Sequence, residues 1–443
     1  MISPPTAVRR GPRSRRGRGD GPVLIVGGGV VGLCIAYYLA AAGVPVEVTE
    51  CRSVASGASW GNAGWICQSH SAPVPAPGVI RYAARSLGRP DSPLYLRPLP
   101  DPGFVAWLWR FWRSSTPARF RRGYAAVAEL NRPTFELVEG LQAAGVATTL
   151  RRPGIVHAFL SATQARHHLD VQKLMAAGRY ELPQDITVGD DAQRLDASLA
   201  AEVRAAYLVP GEGVVDPGRF VQALADVVTT LGGHVHENVE VTGFRRSSGL
   251  PSGSVVGVHT RRGEIACSSV VIAAGIWSYP LLRTLGYHLP LQAGKGYSFS
   301  VRLDPPPRHA LYLGDKRIVA SPIDDTTRIA GTMELSGNNT QLDWRRIVAI
   351  AQGSRHYLGS WFEHPDELAG LIRDPWVGGR PLLPDGLPVI DQLPGYDNAF
   401  VATGHGMLGV TLGPATGMAL TDYILSRRRP AVLAPFQIGR LRH

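Results

Sequence analysis

The chain has 443 residues, of which 44% are hydrophobic and 18% are charged, and its formal net charge is +11. This length exceeds one compact core, so we expect two or three domains of an ordinary globular protein. Residues 1–20 hold six arginines and one aspartate, so about half of the net charge lies in a tail that we expect to be disordered. The remaining charge gives little support for nucleic-acid binding.

The four cysteines form no C-x-x-C pair and show no regular spacing, so they predict neither a disulfide framework nor a zinc site. His234 and His236 share one face of a predicted strand, but two ligands are too few to hold a metal ion. We therefore expect no metal, and a reducing, cytoplasmic environment.

The first predicted element is a strand at 23–26, followed by a Gly-x-Gly-x-x-Gly turn and a helix. Gly27 allows the tight turn, Gly29 lets the backbone approach a pyrophosphate, and Gly32 lets the helix pack against the strand. The helix N-terminus offers free N–H groups to phosphates. This pattern predicts contacts to the ADP half of a dinucleotide from Gly27, Gly28, Gly29, Val30, Val31, Gly32, Glu50 and Cys51.

Glu50 ends the second strand, eighteen residues after Gly32. A carboxylate at this point accepts hydrogen bonds from a ribose diol and repels a 2′-phosphate, which favours FAD or NAD over NADP. Residues 21–46 carry no charge and follow several arginines, so a signal peptide or membrane anchor is the alternative. The glycines and the proline that interrupt the apolar run favour the dinucleotide fold.

Downstream, a run of small residues at 56–64 is typical of a loop that lies against a flat ligand, with Ser59, Asn62, Ala63 and Gly64 as candidate contacts. An aromatic segment at 104–113 predicts a helix, and arginines follow it. We expect this helix to pack in the core of a second domain. A membrane-surface or electron-acceptor contact is the alternative.

The rest of the chain alternates between predicted helices and strands. One helix has Asp216 as its N-cap and Pro217 in its first turn, and it ends at Gly232-Gly233. The further predicted elements are strands at 234–236, 239–244 and 255–259 with a hairpin near 249–253, a buried strand at 268–275 that ends in small residues, short strands within 294–332, a helix at 344–362, a strand at 399–402 and a last helix after a glycine-rich run at 404–417.

Four motifs in this order resemble the FAD-dependent amine oxidoreductases of the D-amino-acid oxidase and glycine oxidase superfamily, most closely the bacterial D-amino-acid dehydrogenases. The resemblance runs from about residue 22 to residue 430. The motifs are the dinucleotide turn with Glu50, the Ser59-x-x-Asn62-Ala63-Gly64 loop, the strand end Ala273-Ala274-Gly275, and Gly379-Arg380-Pro381 with Pro384-Asp385-Gly386 and Gly404-His405-Gly406. Lys295-Gly296-Tyr297-Ser298 also looks like the active-site strand of that superfamily.

The resemblance implies an α/β fold in which a discontinuous Rossmann-like FAD-binding domain carries an inserted mixed-sheet α+β substrate domain. The implied FAD-binding segments are 21–80, 196–285 and 376–443, and the implied substrate-domain segments are 81–195 and 286–375. Further implied cofactor contacts are Val239, Ala274, Gly275, Trp277, Arg380, Gly404, His405, Gly406, Met407, Gly409 and Thr411.

Oxidation of an amino acid by FAD requires an anchor for the carboxylate, a neutral amine and stabilisation of the reduced flavin's charge. Arg380 is the candidate anchor, since a guanidinium binds a carboxylate bidentately and keeps its charge, and the resemblance implies the same role. A structural arginine paired with an acid is the alternative. Tyr297 is a candidate second contact to the carboxylate, and His405 and the N–H groups of 406–409 are candidates to stabilise the flavin.

The sequence therefore predicts FAD-dependent oxidative deamination of a D-amino acid to a 2-oxo acid, with electrons passed to a quinone or other acceptor. The alternatives are a cyclic or secondary amine as substrate (D-proline, D-hydroxyproline, sarcosine or glycine), a non-catalytic flavoprotein subunit, and an NAD-only dehydrogenase. Met407 and Leu408 stand where a glycine oxidase carries a second arginine, which disfavours glycine. We expect a cytoplasmic protein, compatible with peripheral contact to the inner face of the cell membrane.

Overall fold

The computed structural model of the protein describes residues 21–79, 92–97, 100–176, 179–247 and 253–441. The predicted disordered tail and most of the predicted hairpin turn at 249–253 lie outside these residues. The strands are β1 Val23–Val26, β2 Val46–Thr49, β3 Trp65–Ile66, β4 Leu94–Leu96, β5 Ile155–Phe159, β6 Thr187–Val188, β7 Ala205–Val209, β8 Gly213–Val214, β9 His234–His236, β10 Val241–Arg246, β11 Val255–Thr260, β12 Gly263–Ala266, β13 Ser269–Ile272, β14 Gln292–Val301, β15 Ala310–Leu313, β16 Ile318–Ile323, β17 Thr326–Leu335, β18 Arg373–Leu382, β19 Val389–Gln392 and β20 Ala399–Thr403.

The α-helices alternate with these strands over most of the chain. They are α1 Val30–Ala41, α2 Pro102–Ser114, α3 Pro117–Asn131, α4 Thr134–Ala143, α5 Ala162–Ala176, α6 Asp190–Gln193, α7 Pro217–Thr230, α8 Ser278–Thr284, α9 Trp344–Leu358, α10 Leu368–Leu371 and α11 Gly409–Ser426. Helix α9 ends four residues before the predicted limit because Gly359 takes a positive φ of 70°, a conformation that terminates helices.

A six-stranded sheet with the order β19-β20-β13-β1-β2-β9 carries the dinucleotide motif. Its pairs are parallel except for β19 with β20, and its strands come from three separate stretches of the chain. The apolar N-terminal run forms β1, α1 and β2, so the signal-peptide alternative is wrong for these residues. Helices α1 and α11 cross closely at Gly417, where a Cβ atom would lie 2.7 Å from the Cys34 carbonyl carbon.

A nine-stranded mixed sheet forms the second large layer, with the order β18-β14-β17-β16-β15-β5-β7-β6 and β4 paired to β17. Its strands differ from the predicted segments at two points. Strand β7 lies in the predicted FAD-binding segment 196–285 but pairs with β5 in this sheet, and β18 crosses the predicted boundary at 376. The division into domains otherwise stays a prediction.

Helix α2 is apolar on two faces. Phe104, Trp107 and Phe111 are buried against Met333 and Leu382, in agreement with the expected core packing. Val105, Trp109 and Trp112 form a second stripe at helical spacing and are exposed by 59%, 51% and 58%. Among the residues that the structure describes, no helix is both long enough and apolar enough to span a bilayer.

Candidate active site

The turn between β1 and α1 requires glycine at two positions. Gly27 has a φ of 120°, and a Cβ atom there would lie 2.6 Å from the carbonyl oxygen of Ala273. A Cβ atom at Gly32 would lie 2.0 Å from the carbonyl oxygen of Gly27. Gly27 therefore brings β1 against the end of β13, and Gly32 lets α1 start directly above the turn, as the motif predicts.

Gly29 lies at the rim of a cavity of about 450 Å³ that runs from the ends of β1 and β2 to the start of α11. A Cβ atom at this position would meet only the Ser59 hydroxyl oxygen, at 3.4 Å, so the protein itself leaves room there. The Ser59 hydroxyl accepts a hydrogen bond from the Val30 N–H at 3.1 Å. The cradle is thus open toward the cavity, where a pyrophosphate needs close approach.

Glu50 lies at the nucleotide end of the cavity, together with Val239 and Glu240. Its Oε2 accepts a hydrogen bond from the Gly28 N–H at 2.9 Å, and its Oε1 accepts one from the Arg52 N–H at 3.0 Å. These bonds fix the carboxylate beside the glycine turn, in the position that recognises a ribose diol.

Most predicted cofactor contacts line this cavity. They are Gly27, Gly29, Val30, Val31, Glu50, Cys51, Ser59, Asn62, Val239, Ala274, Gly275, Trp277, His405, Gly406 and Gly409. The predicted contacts that do not line it are Gly28, Gly32, Ala63, Gly64, Arg380, Gly404, Met407 and Thr411. Thr411 is instead buried and donates its hydroxyl to the Trp65 carbonyl at 2.7 Å, so its side chain is structural.

Two loops from distant parts of the chain meet at the other end of the cavity. The Asn62 side chain accepts a hydrogen bond from the Gly64 N–H at 2.8 Å and donates to the Met407 carbonyl at 3.4 Å. Gly404 and Gly406 have φ values of 83° and 57°, so this loop turns sharply before α11 starts at Gly409. The N-terminus of α11 therefore lies at the cavity, where its dipole favours negative charge.

His405 lines the cavity, but its imidazole is buried and lies 3.0 Å from the Thr416 hydroxyl, measured from Nε2. Burial lowers the pKa of His405 to about 3. The ring is therefore neutral near pH 7 and carries no positive charge with which to stabilise a reduced flavin. Its described contact is structural, and the helix N-terminus is the better source of positive potential.

Arg380 lies on β18 between Gly379 and Pro381, which both line the cavity. Its Nη1 donates to the Thr332 carbonyl at 2.7 Å, and no carboxylate within the described ranges pairs with it. Burial lowers its pKa to about 10, so the guanidinium remains charged at neutral pH. This partly buried cation has only the Thr332 carbonyl and the Met333 sulfur, at 4.0 Å, as described partners, so its remaining donors are available to an anion. The alternative of a structural arginine paired with an acid finds no support in these contacts.

The guanidinium of Arg380 lies across Gly296 on the neighbouring strand β14. A Cβ atom at Gly296 would lie 2.1 Å from the Arg380 Cζ. On the same face of β14, the Ser298 hydroxyl donates to the Gly61 carbonyl at 2.9 Å, which joins the sheet to the loop at 56–64. The face that carries Arg380 is thus the face turned toward the cofactor loop.

Tyr297 lies on the opposite face of the same strand. In the β14–β18 ladder Arg380 pairs with Gly294 and Tyr297 pairs with Val377, so the two side chains point to opposite sides. The Tyr297 side chain is fully buried, and its hydroxyl donates to Glu334 at 2.9 Å. The prediction that this hydroxyl contacts the substrate carboxylate beside Arg380 is wrong in this structure, because the backbone of the sheet separates them.

Several cavity residues were missed from the sequence, among them Gly57, Ala58, Ile276, Gly379, Pro381 and Thr403. Gly57, Ala58, Gly379 and Pro381 adjoin predicted contacts within their own motifs, so proximity in sequence was the available signal. The Thr332 carbonyl carried no such signal, because a backbone atom is identified only by the strand register.

The geometry of the cavity fits a dinucleotide flavin cofactor. The open space at Gly29 fits the pyrophosphate, and the Glu50 carboxylate at the end of β2 fits the ribose. The helix N-terminus at the far end of the cavity fits the flavin. The fold and the site together define a dinucleotide-binding protein with a long cofactor cavity.

Residues 22–423 match the family described as FAD dependent oxidoreductase. The chain therefore belongs to this family, and FAD is its cofactor. This family membership excludes the alternative of an NAD-only dehydrogenase.

Curated relatives cover nearly the full length of the chain. A protein of Xanthobacter autotrophicus named D-amino acid dehydrogenase is 32% identical over 431 residues, which span 94% of this chain and 98% of that protein. A protein of Dechloromonas aromatica with the same name is 30% identical over 432 residues, which span 94% and 99%.

Solved structures share the fold at lower identity. The L-proline dehydrogenase from P. horikoshii has a TM-score of 0.71 at 17% identity, with 96% of this chain and 99% of that chain covered. The glycine oxidase from Geobacillus kaustophilus has a TM-score of 0.70 at 22% identity, with 95% and 98% covered. At these identities the likeness concerns the fold alone.

Substitution of Gly29 by alanine tests the cofactor cradle without disturbing the protein. The added methyl meets only the Ser59 hydroxyl, and the φ of −84° suits alanine, so the apoprotein should keep its melting temperature. The methyl fills the approach to the pyrophosphate, and FAD affinity should fall about tenfold or more. Flavin absorbance per mole of protein and FAD titration of the apoprotein measure this effect.

The matched control is Gly140→Ala, a helix glycine whose added methyl would meet nothing within 4 Å. It should bind FAD as the unaltered protein does. Equal flavin content in Gly29→Ala and Gly140→Ala would contradict the assignment of the cradle.

Proposed function

We propose that the protein catalyses FAD-dependent oxidation of a D-amino acid to a 2-oxo acid and ammonia, and that it passes the electrons to a quinone or other acceptor. The observation that carries this proposal is the partly buried guanidinium of Arg380, which lies beside the cofactor cavity without a carboxylate partner among the described residues. The near full-length relatives named D-amino acid dehydrogenase support it.

In this proposal Arg380 binds the substrate carboxylate through two parallel hydrogen bonds. The Nη1 contact to the Thr332 carbonyl, at 2.7 Å, fixes one edge of the guanidinium and leaves the other donors for the ligand. FAD, when bound, supplies the hydride acceptor at flavin N5. Held by its carboxylate, the substrate presents its α-carbon in one orientation.

Among the residues that the structure describes, no side chain that lines the flavin end of the cavity is suited to act as a general base. The ionisable side chains among the described residues that line the cavity are Glu50, Cys51, Glu240 and His405. The first three lie at the nucleotide end, and His405 is held by burial at a pKa of about 3. The amine must therefore arrive deprotonated, and the imine product is hydrolysed by water.

The N-terminus of α11 supplies positive potential where negative charge develops. Helix α11 runs from Gly409 to Ser426, and Gly409 and Val410 line the cavity. Unpaired N–H groups and the dipole at a helix start stabilise an anion in a water-poor site. We assign this role to the helix start rather than to His405.

We infer that the two large sheets correspond to two functional layers. In this proposal the six-stranded sheet holds the dinucleotide through β1, β2 and β13, and the nine-stranded sheet carries Arg380, whose neighbours Gly379 and Pro381 line the cavity. A discontinuous FAD-binding domain with an inserted substrate domain stays a prediction, in which β7 and most of β18 would have to move from the first domain to the second.

Assay of purified holoenzyme with a panel of D- and L-amino acids and secondary amines tests the substrate class. The proposal predicts reduction of an artificial dye with D-amino acids and little hydrogen peroxide in air. Sarcosine or D-proline as the best substrate would support the secondary-amine alternative. Peroxide formed as fast as the dye is reduced would overturn the acceptor assignment, and no turnover at all would favour a non-catalytic subunit.

Replacement of Arg380 by methionine should weaken substrate binding because it removes the charged hydrogen bonds to the carboxylate. A loss of about 3 kcal/mol corresponds to roughly a 100-fold lower kcat/KM. Arg380→Lys should recover only part of this loss, since one ammonium cannot make the bidentate pair. Flavin content should stay normal in both variants, and unchanged steady-state kinetics would remove Arg380 from the binding site.

We further propose that the exposed stripe of α2 contacts an anionic membrane surface, where a quinone acceptor resides. Val105, Trp109 and Trp112 project from one side of this helix, and residues 102–128 hold five arginines and no acidic residue. Trp side chains with flanking arginines are typical of a helix that lies in the headgroup region. The opposite side of α2 packs against Met333 and Leu382, close to Arg380.

Vesicle co-sedimentation tests this contact. The double substitution of Trp109 and Trp112 by serine should lower binding to phosphatidylglycerol vesicles by about tenfold or more, because it removes two exposed aromatic side chains that would insert into the headgroup region. Trp344→Ser, which removes an exposed tryptophan elsewhere, is the control and should bind normally. Equal binding of both variants, or equal binding to neutral vesicles, would refute the contact.

A further inference from the structure

A buried charged cluster lies on the face of the nine-stranded sheet opposite Arg380. We call it the Glu334 cluster, and its members are Glu334, Lys295, Tyr297, Ser336 and Arg346. The Glu334 carboxylate receives the Tyr297 hydroxyl at 2.9 Å, the Ser336 hydroxyl at 2.5 Å, the Lys295 ammonium at 3.3 Å and the Arg346 guanidinium at 3.3 Å. Each of these five residues is less than 9% exposed.

The cluster encloses an irregularity in the sheet. Lys295 pairs with Glu334 and Tyr297 pairs with Gly331, so Thr332 and Met333 together stand opposite the single residue Gly296. This is a β-bulge, which re-aims the backbone groups of the longer strand. Thr332 has a φ of 61°, an unfavourable conformation for a β-branched residue.

The bulge forms the backbone acceptor for Arg380. The Thr332 carbonyl receives the Arg380 Nη1 at 2.7 Å, and the guanidinium lies across Gly296. The orientation of the guanidinium therefore depends on the strained conformation of Thr332. A strained residue persists only where its surroundings hold it.

The Glu334 cluster supplies this restraint. Lys295 and Tyr297 flank Gly296 on β14, and both bind Glu334, which directly follows the bulge on β17. Glu334 thus binds the two residues on either side of Gly296. These two contacts hold the bulged segment of β17 in register with β14. Burial alone would raise the pKa of Glu334. The donors around its carboxylate instead hold this pKa below its usual value, so Glu334 stays ionised.

Stability alone gives a poor account of such a cluster. Buried ion pairs are often replaced by apolar side chains without loss of stability. Apolar side chains would not supply the directed contacts that hold β14 and β17 in register across the bulge.

We propose that the Glu334 cluster, and the Tyr297 hydroxyl in particular, positions Arg380 for carboxylate binding by holding the Thr332 bulge. Tyr297 is in this account a positioning residue that acts through Arg380 and touches neither substrate nor cofactor. The inference rests on the proposed role of Arg380 as the carboxylate anchor.

Tyr297→Phe in the full-length holoenzyme tests the proposal, with Tyr357→Phe as the matched control. Both tyrosines are fully buried in the same apolar core, and each hydroxyl donates to a carboxylate, Tyr357 to Asp315 at 2.7 Å. Tyr297→Phe should raise KM for the substrate, and the Kd for a non-reactive carboxylate read from the flavin spectrum, by about fivefold to tenfold. The value of kcat and the flavin content should change little, and Tyr357→Phe should leave KM unchanged.

A double-mutant cycle with Arg380→Met separates positioning from a general loss of packing. If Tyr297 acts through Arg380, Tyr297→Phe should have no further effect on carboxylate affinity once Arg380 is methionine. An equal rise in KM for Tyr297→Phe and Tyr357→Phe, or an undiminished effect in the Arg380→Met background, would overturn the proposal. If Arg380→Met itself left carboxylate affinity unchanged, the proposed function would fail instead.

Discussion

The partly buried positive charge of Arg380 is the constraint on which the rest of the site depends. A guanidinium that is partly removed from water loses solvation that a bound anion can offset, and no carboxylate of the described residues pairs with it. Gly296 provides the space for this group, and the Thr332 carbonyl fixes one of its edges. Among the described residues, Arg380 thus presents a cation with donors free for an anionic ligand.

The position of Arg380 beside the cofactor cavity indicates what this charge can bind. In the proposed function, the glycine turn after β1 and Glu50 bind the nucleotide at one end of the cavity, and the start of α11 lies at the other end. Gly379 and Pro381, the neighbours of Arg380, line the same cavity. We therefore propose that a carboxylate bound by Arg380 lies beside the flavin end, while the helix start stabilises the charge that the oxidation creates.

The parts of the site that were predictable from sequence are those encoded by local backbone geometry. Gly27, Gly32 and Glu50 belong to a short motif in which each position has a steric or hydrogen-bonding reason, and the structure agrees. Arg380 was predictable because its charge and its neighbours form a compact motif. The side on which Tyr297 points was not, because it depends on strand pairing between residues 297 and 377, which are far apart in sequence.

Other errors share that cause. The buried partner of His405 is Thr416, about two turns into α11. Strand β7 joins the mixed sheet through long-range pairing with β5. The bulge at Thr332 follows from the register of β14 with β17 and leaves no mark in composition or periodicity.

A crystal structure of the FAD-loaded protein with a non-reactive carboxylate analogue of a D-amino acid tests the central claim most directly. The account predicts two hydrogen bonds between the carboxylate and the Arg380 guanidinium, with the Thr332 carbonyl still bound to the same side chain and the α-carbon facing the flavin. A carboxylate bound elsewhere in the cavity, with Arg380 unchanged and without an anion, would contradict it.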